Sequence, residues 1–253
     1  MHPKWSSKFE LKPGKWIFVP TAETVIEGRK IKLAIKKKWK PPSYYFHLKA
    51  GGHVEALRTH MEHDNFLRID IRDFFGSINR TRVTRCLKDK FGYGIARSYA
   101  NASTVPDPVV PKRFIIPFGF VQSQIIAAVC LEESALGIYL NNLSSNPAIA
   151  LTVYVDDIIV STSDKVLLDQ VLTDIEVAAK RANFTLNADK QEGPAAAITA
   201  FNIVLAKDSM VVDASRMKKF EEAFATATSE SQRAGIKSYV TSVNASQALA
   251  TFP

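Results

Sequence analysis

No stretch of this 253-residue chain approaches the roughly 18 uncharged apolar residues that a membrane-spanning helix needs. The opening MHPKWSSKFELKPGK also lacks the apolar run of a secretory leader. These absences give the expectation of a soluble, cytoplasmic protein with no membrane partner. Only two cysteines are present, Cys86 and Cys130, in unrelated contexts and without metal-ligand spacing. That excludes a disulfide framework and a thiolate zinc site, and both are expected as buried thiols. The histidines, His2, His47, His53, His60 and His63, form no ligand set. There is no internal repeat or low-complexity tract, and no Gly-rich phosphate loop follows any predicted strand, so the common nucleotide fingerprints are missing. What is present is ordinary globular material, with 46% hydrophobic residues.

The net charge of +8 is unevenly distributed. Residues 1–50 carry 12 Lys and Arg against 3 Asp and Glu, whereas the remaining 203 carry 21 against 22. The entire excess is N-terminal, and its densest part is Arg29, Lys30 and Lys32, then Lys36, Lys37, Lys38 and Lys40, with Lys49 beyond. A basic segment of this kind suits a polyanion, most simply nucleic acid, and a solvated helix face is the plain alternative.

Turn signals at Pro41-Pro42, Gly51-Gly52, Pro106 to Pro111, Asn141 to Pro147 and Gly193-Pro194 divide the chain into strand-like and helix-like segments. Phe66 to Ile71 alternates like a strand, and Asn79 caps a helix to about Phe91. Gln122 to about Leu140 reads as one buried helix. Ile149 to Val155 and Ile158 to Ser161 form a hairpin with Asp156-Asp157 at its tip. Asp164 caps a helix to about Asn183, with Val166, Val171, Leu172, Ile175 and Ala179 on its buried stripe. Ile198 to Leu205 and Met210 to Val212 make a second hairpin, a further helix starts near Ala214, and the tail after Thr228 is polar and weakly patterned. Helices mixed irregularly with hairpins indicate an α+β fold with an antiparallel sheet.

Asp70 ends one predicted strand, and Asp156 and Asp157 follow 86 residues later at a hairpin tip. Carboxylates so placed can converge as two divalent cations about 4 Å apart require, and carboxylate oxygens are the hard donors magnesium prefers. Asp156-Asp157 alone would fit a surface turn. Their flanks, Leu151 to Tyr154 and Ile158 to Val160, make both strands largely buried, and a paired acid between buried strands favours a metal site.

Tyr154-Val155-Asp156-Asp157 resembles the YxDD box of reverse transcriptases, and Asp70-Ile71-Arg72-Asp73-Phe74-Phe75-Gly76-Ser77-Ile78 resembles the first catalytic box of prokaryotic members, among them retron, group II intron and phage-defence enzymes. The resemblance covers about residues 44–213. It implies a right-hand fold: residues 1–65 as basic segment and reduced fingers, 66–213 as palm with a fingers insertion at about 79–120, and 214–253 as a minimal thumb. It implies Asp70, Asp156 and Asp157 as ligands of two Mg²⁺ ions, with Mn²⁺ as a possible substitute and the Ile71 carbonyl touching the second metal. Arg72 and Asp73 would flank the triphosphate, and Phe74 and Phe75 would lie at the nucleotide, Phe75 as a gate against the ribose 2′-hydroxyl. Lys190, in Leu186-Asn187-Ala188-Asp189-Lys190, would protonate pyrophosphate as a general acid. Phe201-Asn202-Ile203 partly matches the primer-grip turn.

Ile116-Pro117-Phe118-Gly119-Phe120-Val121-Gln122-Ser123-Gln124 departs from the family. Pro117, Gly119 and Ser123 match its second box, but Phe118 stands where a nucleotide-contacting glutamine is usual, and an aromatic ring cannot make that amide's hydrogen bonds. Gln122 is the candidate to compensate. Only 21 residues separate Lys49 from Asp70, an interval in which Arg58 and Arg68 are the candidates for the family's phosphate-binding arginine. Short fingers and thumb imply a protein partner, a bound RNA or a homo-oligomer. The expected activity is transfer of deoxynucleotides to a 3′-end or protein hydroxyl, with an RNA template or none, as in diverged defence-associated members. The alternatives are a catalytically silent scaffold that binds RNA or a partner polymerase, and an RNA-dependent RNA polymerase.

Overall fold

In the computed structural model, which describes residues 3–252 and so leaves His2 outside, the chain opens with a hairpin of β1 (Trp5–Lys12) and β2 (Lys15–Pro20). The helix α1 (Ala22–Lys38) follows, capped by the Thr21 hydroxyl, which accepts from the Thr24 N–H. Next come α2 (Gly52–Arg58), β3 (Asn65–Asp70), α3 (Phe74–Ser77), α4 (Arg80–Phe91), α5 (Tyr93–Ala102), and the short strands β4 (Val105–Pro106) and β5 (Phe114–Ile115). Then follow α6 (Ser123–Glu132), α7 (Ala135–Leu143), β6 (Ala150–Tyr154), β7 (Asp157–Thr162) and α8 (Lys165–Arg181). Strands β8 (Glu192–Ala195), β9 (Ala197–Ala200), β10 (Ile203–Ala206) and β11 (Ser209–Val212) precede the helices α9 (Ala214–Ala225), α10 (Glu230–Val243) and α11 (Ala245–Thr251). No single helix among the described residues is long and apolar enough to cross a membrane.

These elements form two compact units interleaved along the chain: residues 1–43, 71–142 and 175–186, and residues 44–70, 143–174 and 187–253. The first unit holds α1, α3 to α7 and the two small hairpins. Asn79 caps α4 as the sequence indicates, its side chain accepting from the Arg82 N–H. The predicted single helix from Gln122 to Leu140 is instead two, α6 and α7, meeting at 77°. Ser134 ends one and starts the other, donating to the Leu131 carbonyl at 2.6 Å and accepting from the Gly137 N–H at 3.1 Å. A Cβ on Gly137 would stand 2.1 Å from the Leu131 carbonyl oxygen, so the tight junction needs glycine there. Cys86 and Cys130 are free and buried, as expected.

The second unit is built on a four-stranded antiparallel sheet in the order β6-β7-β3-β8, with a three-stranded sheet, β11-β10-β9, beside it in sequence. The predicted strand Ile198 to Leu205 divides into β9 and β10, because Phe201 and Asn202 both take positive φ, +56° and +61°, in a two-residue loop of the kind hairpins favour. The tail after Thr228 is not weakly structured. It forms α10 and α11, whose Val240, Val243 and Ala248, with Phe252 beyond, are buried with Phe66, Ile159, Ile198 and Leu205 in one core. Ile236, Tyr239, Val240 and Val243 recur at helical spacing behind the Ser229 cap, an apolar stripe set among polar residues. The stripe of α8 also differs from expectation. Val166 is 79% exposed and Leu168 takes its place, since two residues on a helix lie about 200° apart.

His60 is fully buried in this unit, its two ring nitrogens within 2.7 Å of the Ser161 hydroxyl and 2.8 Å of the Thr152 hydroxyl. Burial pushes its pKa down to about 3, so it serves as a neutral polar bridge between β6 and β7.

Candidate active site

Strand register assembles the acids. In the second unit β3 and β7 pair so that Asp70 stands opposite Asp157, and β6 and β7 close with Tyr154 opposite Asp157. The loop between is therefore only Val155 and Asp156, one residue earlier than a tip of Asp156-Asp157, because Asp157 already belongs to β7. Asp70, Asp156 and Asp157 each bring an oxygen within 4.8 Å of the other two. Three carboxylates converging on one point are a donor set of the hardness a divalent cation takes.

The charges show what this convergence costs. Burial, then the neighbouring Asp157 and Asp70 carboxylates, push the Asp156 pKa up to about 6. Asp157 is raised too, chiefly by burial, against the pull of Arg68. Arg68 places Nε at 3.0 Å and Nη2 at 2.9 Å from Asp157 Oδ1, and its Nη1 donates to the Thr199 carbonyl at 2.7 Å. Asp70, only 2% exposed, accepts from Asn187 Nδ2 at 2.9 Å on one oxygen and from Lys190 Nζ at 2.7 Å on the other. The Asn187 N–H also donates to the Asp70 carbonyl at 2.8 Å, which fixes the turn Ala188–Lys190 beside the end of β3.

The second unit thus brings together four sequence-predicted residues, Asp70, Asp156, Asp157 and Lys190. It adds three whose roles the sequence did not suggest. Arg68 was a candidate for phosphate, but it is engaged with Asp157, Thr199 and Glu192. Arg58 is tied to Glu55 and the Ser242 carbonyl. Asn187 lies inside a recognised box without having been singled out. His47 belonged to no ligand set, yet its Nδ1 accepts from the Val155 N–H at 3.1 Å. Burial pushes its pKa down to about 4, with a smaller opposing effect from the Val153 backbone. Lys49 is exposed, its Nζ 4.6 Å from the Phe46 ring centre.

The remaining predicted residues lie in the first unit, whose segment after β3 begins with the fully buried Ile71. Phe74 and Phe75 are buried, and Phe75 stacks on Phe118 with ring centres 4.7 Å apart. Lys15 Nζ lies 4.4 Å over the Phe118 ring. Gly119, at φ +108°, lets β2 approach: a Cβ there would stand 2.2 Å from the Phe18 carbonyl oxygen. Gln122 cannot compensate for Phe118 in this arrangement, because it is 1% exposed, packed beneath Gly28 of α1 with its amide 3.3 Å from the Ser103 hydroxyl. Arg72 is exposed and its backbone N–H donates to the Thr185 carbonyl. Asp73 takes φ +44° at the start of α3, and its carboxyl pKa is raised by burial, with Arg113 opposing. On α1 and just beyond, Arg29, Lys30, Lys36, Lys37, Lys38 and Lys40 are exposed and Lys32 is half-buried. Lys38 also donates to the Lys90 carbonyl at 2.9 Å.

A small antiparallel sheet gathers three carboxylates and a lysine at one end, an arrangement with the hard oxygen donors that divalent cations take. Residues 15–200 match the family described as reverse transcriptase (RNA-dependent DNA polymerase), and the chain belongs to that family. No curated protein matches the sequence. Among solved structures, telomerase from Candida albicans in complex with a fragment of telomeric RNA is similar at a TM-score of 0.55 and 11% identity, over 80% of this chain and 43% of that one. The foamy viral protease–reverse transcriptase in complex with double-stranded DNA is similar at 0.51 and 16%, over 91% and 34%. Apo telomerase from Candida tropicalis gives 0.50 and 11%, over 76% and 44%. The chain therefore shares their fold, α+β with antiparallel sheets, and spans less than half the length of each.

Proposed function

We propose that this chain is a DNA polymerase of the reverse transcriptase family that transfers deoxynucleotides from their triphosphates to a 3′-end or a protein hydroxyl. The observation that carries this is the convergence of Asp70, Asp156 and Asp157 within 4.8 Å, in a chain of that family. These carboxylates would hold Mg²⁺, with Mn²⁺ as substitute, and such ions supply positive charge against a triphosphate and a more reactive hydroxyl. Lys190, hydrogen-bonded to Asp70 and 51% exposed at its side chain, holds a proton at Nζ that it can deliver to the leaving pyrophosphate. Asn187 and Arg68 orient the acids on either side. Phe75, at the sequence position of the family's sugar gate, supports a preference for deoxynucleotides.

The exposed lysines of α1 support nucleic acid as partner through phosphate contacts. The box at residues 70–78 supports a prokaryotic, cytoplasmic setting. Phe118, where the family usually has an amide, supports altered templating, an RNA template or none, in antiphage defence with a protein partner or a second copy. The test is incorporation of single labelled deoxynucleotides with Mg²⁺, with and without RNA, followed by sequencing of any product. Wild type should incorporate and Asp156→Ala with Asp157→Ala should not. Equal incorporation by both removes the assignment, and preference for ribonucleotides replaces it with RNA synthesis.

A further inference from the structure

We propose that His47 is a positioning residue for the acidic hairpin: by accepting from the Val155 N–H it holds the loop in the conformation that presents Asp156. This rests on the proposed role of Asp156 as a cation ligand.

Strand β6 is an edge of its sheet. Val153 stands opposite Ile158 of β7 with its N–H turned out of that ladder, and Val155 lies in the loop just beyond β6. Residues 44–47 cover that edge. The Val153 N–H donates to the Tyr44 carbonyl at 2.8 Å, and two residues on the Val155 N–H donates to His47 Nδ1. The main chain accounts for the first donor, and a side chain takes over where the loop begins.

Val155 is also an unexpected residue for its conformation. It has φ +62° at the first position of a two-residue hairpin loop, where glycine is the usual occupant, and its branched Cβ makes that region costly. Something must over-determine the turn for it to persist. The His47 ring is itself held, 5.7 Å from the Tyr45 ring centre and edge-on to Tyr154 at 6.1 Å. The chemistry of the acceptor matters too. A carboxylate here would bring a fourth negative charge to the acids, whereas a neutral imidazole with its proton on Nε2 accepts without adding charge.

The test is direct Mn²⁺ binding to the full chain, by calorimetry or by the electron paramagnetic resonance of free Mn²⁺, with thermal melting of each cation-free variant. His47→Asn places an amide oxygen near the Nδ1 position and should bind within about twofold of wild type. His47→Leu, which keeps the bulk and loses the acceptor, should weaken binding about tenfold, the worth of one neutral hydrogen bond. In a Val155→Gly background, where positive φ carries no penalty, His47→Leu should weaken binding less than about twofold. If His47→Leu does not fold, His47→Gln, whose oxygen reaches the Nε2 position instead, replaces it with the same expected loss. Wild-type affinity in the Leu or Gln variant, or equal weakening in both backgrounds, overturns the role of His47 alone. A wild type that binds no cation overturns the proposed function and this inference with it.

Discussion

Arg68 grips Asp157 with two donors on a single carboxylate oxygen, at 3.0 and 2.9 Å, from the neighbouring strand of the same sheet. The side chains are 15% and 13% exposed, so the pair is largely withdrawn from water. Removing the guanidinium leaves Asp157 buried beside Asp70 with its counter-charge gone. Arg68→Gln is therefore expected to lower stability by about 3 kcal/mol, measured by urea unfolding at neutral pH. A loss under about 0.5 kcal/mol would show that the pair is merely a surface contact.

Asp156 has the opposite problem, since its neighbours disfavour its charge. Its folded pKa of about 6 lies above the unfolded carboxylate value, so the folded chain binds a proton more tightly and this group's contribution to stability falls as pH rises from about 4 to 6. Asp156→Asn should thus stabilise the cation-free protein at pH 7 by on the order of 2 kcal/mol while abolishing incorporation. In the wild type, cation affinity should decline as pH falls through about 6, because protons compete for the same oxygens. Chemical denaturation and Mn²⁺ titrations at several pH values check both signs.

Lys190 touches Asp70 but remains half-exposed, so its loss should be felt in chemistry more than in folding. Lys190→Met is expected to reduce the incorporation rate about 10²-fold with little change in melting temperature. Single-turnover kinetics separate this from weaker nucleotide binding.

Phe252 is 1% exposed and its ring centre lies 4.8 Å from that of Phe224. Phe252→Ala should cost about 3 to 5 kcal/mol, and deletion of residues 230–253 should unfold the second unit, since Val240, Val243, Ala248 and Phe252 close its core. Circular dichroism melting of both variants decides whether this tail is part of the fold or an appendage.

Gly119 separates a structural from a nucleotide-binding role. Its φ of +108° and the Phe18 carbonyl 2.2 Å from a would-be Cβ make Gly119→Ala expensive, with an expected loss above about 2 kcal/mol in the first unit. Proteolytic sensitivity of the β1–β2 hairpin is the measurement. Unchanged protection with lost incorporation would assign Gly119 to the nucleotide instead.

Several parts of this protein were legible from local chemistry. Apolar–polar alternation marked β3, continuous β-branched runs marked β6 and β7, Asn79 and Asp164 announced their helices, and the acids stood out against apolar flanks. The single long helix after Gln122 was misread because Ser134 and Gly137 are unremarkable until the Leu131 carbonyl closes on them. Val166 does not belong with that stripe because, at roughly 100° per residue, it lies about 140° around the helix from Val171, whereas Leu168 continues the face of Val171, Ile175 and Ala179. The helices after Thr228 carry readable local signals, the Ser229 cap and the Ile236, Tyr239, Val240, Val243 spacing, which the high polar content of the tail masks.

The sequence by itself determined which groups are available: three aspartates, a lysine, a basic N-terminal segment, and an aromatic residue at position 118 where its family usually has an amide. Only the tertiary structure decided which of them meet. The antiparallel register of β3 on β7 brings Asp70 to Asp157, the short loop at Val155 adds Asp156, and Arg68, Asn187 and His47 acquire their roles only there. Side-chain type and spacing are local properties of a chain, whereas a hydrogen bond across 108 residues, as between His47 and Val155, depends on where folding places its two ends.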